Sequence, residues 1–364
     1  MSLDWRAPLS GVNFGGWLSQ SDLSRERLET FITEADFRFV AERGFNTVRL
    51  PFNARLLQAP GGGLDPEGLA WLDRSLAWAQ AHGLRLVLDL HEIAGHSFVD
   101  MAGNGIYGDP AQRRAARRLW SALAAHFVDT GNELFFELLN EAVAPTAQDW
   151  QDLAEELTSA IREVDERRPI VVGSNLWNCA GEFASLQATG DARTVYTFHF
   201  YEPVHFTHQG APWVAWTRAL PAQPYPGEAR GVEAVVGKGD PQADAQGASF
   251  RGAWDAARME EALTPVLAFR QRHQVPVFCG EFGVYLNAPR AGQLAWMRDF
   301  TGLLVRHGLG FTYWSHRGMD FGLHYSGVPW GHLPQYANPG GLDEELTQLL
   351  QRRAAELGER AAAR

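Results

Sequence analysis

Two apolar runs end abruptly in carboxylates. Leu134-Phe135-Phe136-Glu137-Leu138-Leu139 runs into Asn140-Glu141, and Val275-Pro276-Val277-Phe278-Cys279 runs into Gly280-Glu281. Such runs suit strands buried on both faces, so the groups that follow emerge where a strand meets solvent. Although 140 residues separate Glu141 from Glu281, the two are expected to face each other across one cleft, with about 5 Å between carboxyl groups. Paired carboxyls suit hydrolysis of a glycosidic bond, in which one protonates the leaving oxygen and the other deals with the anomeric carbon. Their protonation states must then differ. Glu281 is expected to be the nucleophile, kept ionised by Arg49 and by a hydrogen bond from Tyr201. Glu141 is expected to be the acid and then the base, its pKa raised by apolar surroundings and by the charge of Glu281.

Other groups fall at the ends of further strand candidates: Arg49, His91, Asn140, His199, Tyr201 and Trp314. Asn140 is placed to bond the sugar 2-hydroxyl, and His91 to donate to a neighbouring hydroxyl. His199 either does the same or holds Glu141. Trp314 offers a flat floor for a pyranose, and Phe14, Trp17, Trp177, Trp213 and Trp216 are candidates for flanking subsites or for packing. Glu137 and Asp320 are expected to be structural, the former deep in the core with a polar partner, and Met319 and Phe321 to pack. An ideal strand cannot point both Asn140 and Glu141 inward, so this strand must end or bulge there.

The elements that position these groups alternate along the chain. Strand candidates lie near residues 11, 47, 84, 134, 170, 194, 275 and 308. Helical patterns separate them: a capping box at Thr33 and Asp36, helices opened by Pro66 and Pro110, another capped at Thr146 and Asp149, then helices over about 260–272 and 292–305 and a charged one from Asp343. In Val195-Tyr196-Thr197-Phe198-His199-Phe200-Tyr201 the rings of Tyr196, Phe198 and Phe200 are expected to face helices, and Thr197, His199 and Tyr201 the interior. Eight such units imply a single (β/α)8 TIM barrel over residues 1–364, with an inserted subdomain at 204–258 after strand 6. A doubly wound open sheet would be expected to show a G-x-G-x-x-G loop after the first strand, and Gly11 to Gly16 does not fit it.

Composition narrows the partners. With 32 Lys+Arg against 43 Asp+Glu, the net charge of −11 argues against nucleic acid, and the cluster Arg113, Arg114, Arg117 and Arg118 reads as a solvated helix face. The two cysteines, Cys179 and Cys279, form neither a disulfide framework nor a zinc site. No cofactor or metal is expected, nor a membrane-spanning segment. The chain is expected to act as a monomer outside the cell after loss of a leader, with a cytoplasmic location as the alternative.

The motifs TVRLPF with Arg49, LDLH with His91, ELLNE with Asn140 and Glu141, FHFY with His199 and Tyr201, CGEFG with Glu281 and YWS with Trp314 resemble the signature of glycoside hydrolase family 5 from one end of the chain to the other. GVNFGGWLSQ, FITEADF, FHFYEPVHFTHQ and the MDF at Met319 to Phe321 resemble endoglucanases of the family that carry an insert after the sixth strand. The resemblance implies a retaining endo-β-1,4-glucanase acting on β-glucan polysaccharide or oligosaccharide, with Glu141 as acid/base and Glu281 as nucleophile. Related activities of the family (lichenase, mannanase, exo-β-1,3-glucanase) are the alternative. Three places depart from the pattern: the third strand ends in HEIAGH, with Glu92, Ala94 and His96 where a second histidine and a proline are expected. Glu202 stands where asparagine is expected, and His316 where an aromatic is expected.

Two other function classes compete with this reading. A metal-dependent hydrolase would use His91, His96, His199 and a carboxylate, but no cluster has clear ligand spacing. A non-catalytic carbohydrate-binding barrel would have no need of both glutamates and Arg49.

Overall fold

A computed structural model describes residues 4–59, 63–99, 104–318, 320–324 and 341–363. Its strands are β1 (Ser10–Asn13), β2 (Thr47–Asn53), β3 (Arg85–Glu92), β4 (Leu134–Glu137), β5 (Ile170–Gly173), β6 (Thr194–Phe200), β7 (Val277–Phe282) and β8 (Gly310–Tyr313). They close into an eight-stranded barrel in the order β1-β8-β7-β6-β5-β4-β3-β2, every neighbouring pair parallel. Helices follow the strands and cover them, as parallel strands require.

Strand alternation sorts the interior into layers. Leu9, Val87, Phe135, Val171, Val195 and Phe278 form an apolar plug. Two residues further along their strands, on the same face, come Asp89, Glu137, Thr197 and Gly280. The plug therefore floors a polar layer. On the outer face Phe136, Tyr196, Phe198 and Phe200 join the main core between sheet and helices, as the alternation of β6 implied.

Helix caps match their sequence signals. Thr146 accepts from the Asp149 amide and Asp149 answers with a bond to the Thr146 amide, opening the helix Ala147–Arg162. The pattern at 260–272 is not one helix but two, Ala256–Ala262 and Thr264–His273. Pro265 sits in the first turn of the second, where its missing N–H is harmless, whereas inside a continuous helix it would break the ladder.

Three tryptophans in the helical layer reach the strand ends. The indole N–H groups of Trp120, Trp150 and Trp296 donate to the carbonyls of Leu138 (3.1 Å), Gly173 (2.8 Å) and Glu202 (2.9 Å). These carbonyls lie at or just past the ends of β4, β5 and β6, where a buried acceptor needs a partner.

Between β6 and the helix at 256, the chain forms a short helix at Val204–Thr207, another at Pro241–Ala245, and an antiparallel ladder pairing Gly227 with Trp254 and Glu228 with Ala253. Trp216, Val235 and Ala243 make a small core of their own there, with Phe250 packed on it.

Candidate active site

Arg49 is the centre of the polar layer. Its guanidinium, wholly buried, binds Glu137 through two bonds (2.7 and 2.8 Å), Glu281 Oε1 at 2.7 Å, Asn140 Oδ1 at 2.9 Å, Asn13 Oδ1 at 2.9 Å and Asp89 Oδ2 at 3.0 Å. Burial opposes its charge, but Asp89, Glu137 and Glu281 outweigh that and hold it protonated. Three carboxylates around one cation leave surplus negative charge. Burial accordingly pushes Asp89 and Glu137 up to about 7 each, against the pull of Arg49.

Both cleft glutamates reach their places by a break in strand geometry. On β7, Phe278 and Gly280 point inward, so regular alternation would turn Glu281 away from the barrel. Instead the pairing of β6 with β7 slips, from Phe198 opposite Cys279 to His199 opposite Glu281. This bulge re-aims the carboxyl onto Arg49. Gly280 has no room for a side chain, because a Cβ there would lie 2.6 Å from Thr197 Oγ1 and 3.2 Å from His199 Nε2. On β4 the ladder ends at Glu137, and Glu141 takes a left-handed backbone with φ 44. That conformation costs about 1–2 kcal/mol for a non-glycine residue. It also lets Asn140 and Glu141 serve the same cleft, as neighbours on a regular strand cannot.

The two carboxyls share a small space. One oxygen each of Glu141 and Glu281 and a ring nitrogen of His199 lie within 4.8 Å of one another. Glu281 also accepts from the Tyr201 hydroxyl at 3.0 Å, and Glu141 Oε1 lies 2.9 Å from His199 Nδ1. The Glu141 side chain is 14% exposed and that of Glu281 6%, so the cleft opens on the Glu141 side. Burial raises both pKa values. For Glu141 the charge of Glu281 adds to burial and carries it well above the ordinary carboxylate range. For Glu281 the guanidinium at 2.7 Å pulls the other way. The proton of the pair therefore belongs to Glu141. Burial first, then Arg49 and His91, hold His199 neutral, and burial with the charge of Glu281 keeps the Tyr201 phenol protonated.

His91 Nδ1 lies 2.7 Å from Asp89 Oδ2. A proton on Nδ1 leaves Nε2 to accept from a sugar hydroxyl, and the donor role expected for His91 needs the other tautomer. Its ring stacks on Trp314 at 5.6 Å and 4°, so one face of the indole is already covered. Asn140 Nδ2 is buried with no protein partner among the described residues, while its Oδ1 is fixed by Arg49. The amide thus presents a bare donor.

All eight expected site residues meet at this end of the barrel. Asn13 and Asp89, not singled out as site residues, belong to it too. Asp89 was legible as the residue two before His91 on one strand face, and Asn13 as the polar end of β1. Of the aromatic candidates for subsites or for packing, three pack. Phe14, Trp17 and Trp216 are buried: Phe14 packs edge-on to Phe37, Trp17 stacks on Trp78, and Trp216 lies in the small core at 204–258. Trp213 is 42% exposed beside Tyr285 and Phe321 and keeps a face for a ligand. Met319 lies outside the described residues. The unusual residues of the third and eighth strand ends are ties within the protein. Glu92 accepts from the Gln20 amide (2.7 Å), His96 Nε2 meets the Asn140 carbonyl (2.8 Å), and His316 Nε2 meets Asp36 (2.8 Å).

Glu141, His199 and Glu281 are the one His/Cys/Asp/Glu group among the described residues with metal-ligand spacing. It shares only His199 with the histidine set a metal-dependent hydrolase would use. A cation there would also sit beside the permanently charged Arg49, which already occupies Glu281.

Residues 10–320 match the family model described as Cellulase (glycosyl hydrolase family 5). The chain belongs to this family. Among family 5 relatives, Endoglucanase C of Acetivibrio thermocellus is 35% identical over 322 residues, covering 86% of this chain and 93% of that one. Cellodextrinase A of Ruminococcus flavefaciens is 30% identical, covering 84% of each. A solved glycoside hydrolase structure superposes with a TM-score of 0.76 at 21% identity over 95% of this chain and 99% of its own, which speaks to the fold. No helix of the described residues is long and apolar enough to cross a membrane.

Removing Arg49 strands three buried carboxyls. An Arg49→Met variant is expected to lose roughly 3–5 kcal/mol of stability, measured by urea unfolding at neutral pH. A loss below about 1 kcal/mol would show that the carboxyls do not depend on the guanidinium.

Proposed function

We propose that this family 5 chain is a retaining endo-β-1,4-glucanase, with Glu281 as nucleophile and Glu141 as acid and then base. The observation that carries this is the placement of two carboxyl oxygens within 4.8 Å of each other in unequal fields, one bound by Arg49 and the other not. A separation of about 5 Å suits direct attack on the anomeric carbon, whereas an interposed water needs roughly 6.5–9.5 Å. The names of the relatives, an endoglucanase and a cellodextrinase, support a β-1,4-glucan as substrate.

In the first half-reaction Glu281 Oε2 attacks the anomeric carbon as the glycosidic C–O bond breaks, and the proton of Glu141 moves to the departing oxygen. Arg49 and the Tyr201 hydroxyl hold the carboxylate in place until it is consumed. Asn140 Nδ2 donates to the 2-hydroxyl, a contact that tightens in the transition state. Once Glu281 is an ester, the field that raised the Glu141 pKa is gone. Glu141 then takes a proton from water, which attacks the same carbon as its bond to Glu281 breaks, returning the Glu281 carboxylate and releasing the sugar with its anomeric configuration retained.

Proton NMR of early cellohexaose hydrolysis is expected to show the β-anomer first, and initial appearance of the α-anomer would overturn the double displacement. Glu281→Ala is expected to lose on the order of 10^6-fold in kcat, and Glu141→Ala roughly 10^2- to 10^4-fold on the same substrate.

The pH profile follows from the two fields. kcat/KM rises as Glu281 ionises and falls as Glu141 loses its proton. Both pKa values lie above the ordinary carboxylate range, that of Glu141 further, so both limbs are displaced towards neutrality. With an activated aryl cellobioside, Glu141→Gln is expected to abolish the alkaline limb and leave the acid limb in place. Persistence of the alkaline limb would assign it to another group.

Full activity is expected after exhaustive treatment with EDTA. Loss of activity that added divalent cation restores would revive the metal-dependent alternative.

A further inference from the structure

We propose that Asn178 is a positioning residue for the acid/base: it fixes the tautomer of His199, and His199 in turn aims the proton of Glu141. The proposal rests on the assignment of Glu141 above. His199 is neutral and has one ring proton to place. Its Nδ1 lies 2.9 Å from Glu141 Oε1 and 3.7 Å from Glu281 Oε2, while its Nε2 lies 3.3 Å from Asn178 Nδ2. An amide N–H donating to Nε2 leaves the ring proton on Nδ1, directed at Glu141 Oε1. Oε1 is thereby an acceptor, and the acid proton stays on Oε2, free for the glycosidic oxygen.

The orientation of the Asn178 amide follows from its seat. A Cβ on Gly173 would lie 2.2 Å from Asn178 Oδ1 and 2.7 Å from its Nδ2, so the oxygen is the end of the amide turned more closely to that glycine. That tight place suits a bare oxygen better than a nitrogen carrying two hydrogens. Asn178 Oδ1 is buried without a partner among the described residues, so the amide is held here at the expense of its own hydrogen bonding.

The backbone around Asn178 serves the same end. Leu176, Trp177 and Asn178 are all left-handed, with φ values of 48, 62 and 53, three strained non-glycine residues in a row. The turn is clamped to the loop that follows Glu141. Asn175 accepts from the Ala144 amide (2.8 Å) and donates to the Ala144 carbonyl (3.1 Å), and the Trp177 amide donates to Ala142 (3.1 Å). Trp177 Nε1 reaches the Phe98 carbonyl at 2.8 Å. One strained turn therefore fixes the carrier of Glu141 and the partner of His199 together.

Without the Asn178 donor, His199 can carry its proton on Nε2. The bare Nδ1 then accepts the Glu141 proton and withholds it from the leaving oxygen. The loss falls on bonds whose cleavage needs protonation. Asn178→Ala is expected to lower kcat/KM roughly 10- to 100-fold for cellotetraose and phenyl β-cellobioside. For 2,4-dinitrophenyl β-cellobioside, whose leaving group needs no proton, the change is expected to stay below about 3-fold. Asn178→Asp, of the same shape but accepting where Asn donates, is expected to widen that gap. Equal loss on all three substrates would mean a merely structural role and overturn the proposal. Glu141→Ala measured in parallel separates the two assignments. Leaving-group dependence in Glu141→Ala but not in Asn178→Ala sinks this proposal alone, and absence of it in both sinks the acid/base assignment as well. Long-range proton–nitrogen NMR on the unmodified chain, with His199 identified through His199→Gln, is independent of how the Asn178 variants fold. Protonated Nδ1 is expected, and protonated Nε2 would overturn the proposal.

Discussion

One guanidinium sets the terms for the whole cleft. Arg49 is buried in the barrel and touches three carboxylates and two amides. A charge in such a place is tolerable only if every one of its donors is used. Meeting that condition dictates what stands on the neighbouring strands: an acid on β3, an acid on β4, an asparagine ending β1. It also creates the asymmetry between the two cleft glutamates, since Arg49 binds one and not the other. The apolar plug beneath keeps water from that layer, so the interaction acts at low dielectric and with little screening.

The barrel was legible from the sequence because its signals are local and repeated. Apolar runs, caps and stops recur in register, and each helix start carries its own chemistry, as at Thr146 and Asp149. The convergence of Arg49, His91, Asn140, Glu141, His199, Tyr201, Glu281 and Trp314 followed from their positions at strand ends. Two devices were not readable in full. The left-handed backbone at Glu141 was foreshadowed, because two adjacent residues had to share a cleft. The bulge before Glu281 was not, because register is a property of two strands and Gly280 alone does not announce it. The shape of 204–258 was equally hidden, since its elements are short and pack partly on a small cluster around Trp216 and partly, through Phe206, Tyr225 and Trp254, on the main core.

Tryptophan misleads in the same way. Trp17 and Trp216 stood as candidates for flanking subsites or for packing, and both are buried, as are Trp120, Trp150 and Trp296. A residue type that offers a large apolar ring and a single donor suits the back of a barrel as well as the front. Composition cannot separate these uses, because both need the same side chain. The residues that depart from the family pattern teach the complementary lesson: Glu92, His96 and His316 bond to Gln20, Asn140 and Asp36 on other segments of the chain.

The indole bonds to the carbonyls of Leu138, Gly173 and Glu202 anchor the rim from the outside. The catalytic floor and the decorative loops are thus braced by different sets of atoms. Loops in front can be lengthened, exchanged or reshaped without slackening the strands that carry the acids. A scaffold built this way separates inheritance of a reaction from drift in what it acts upon.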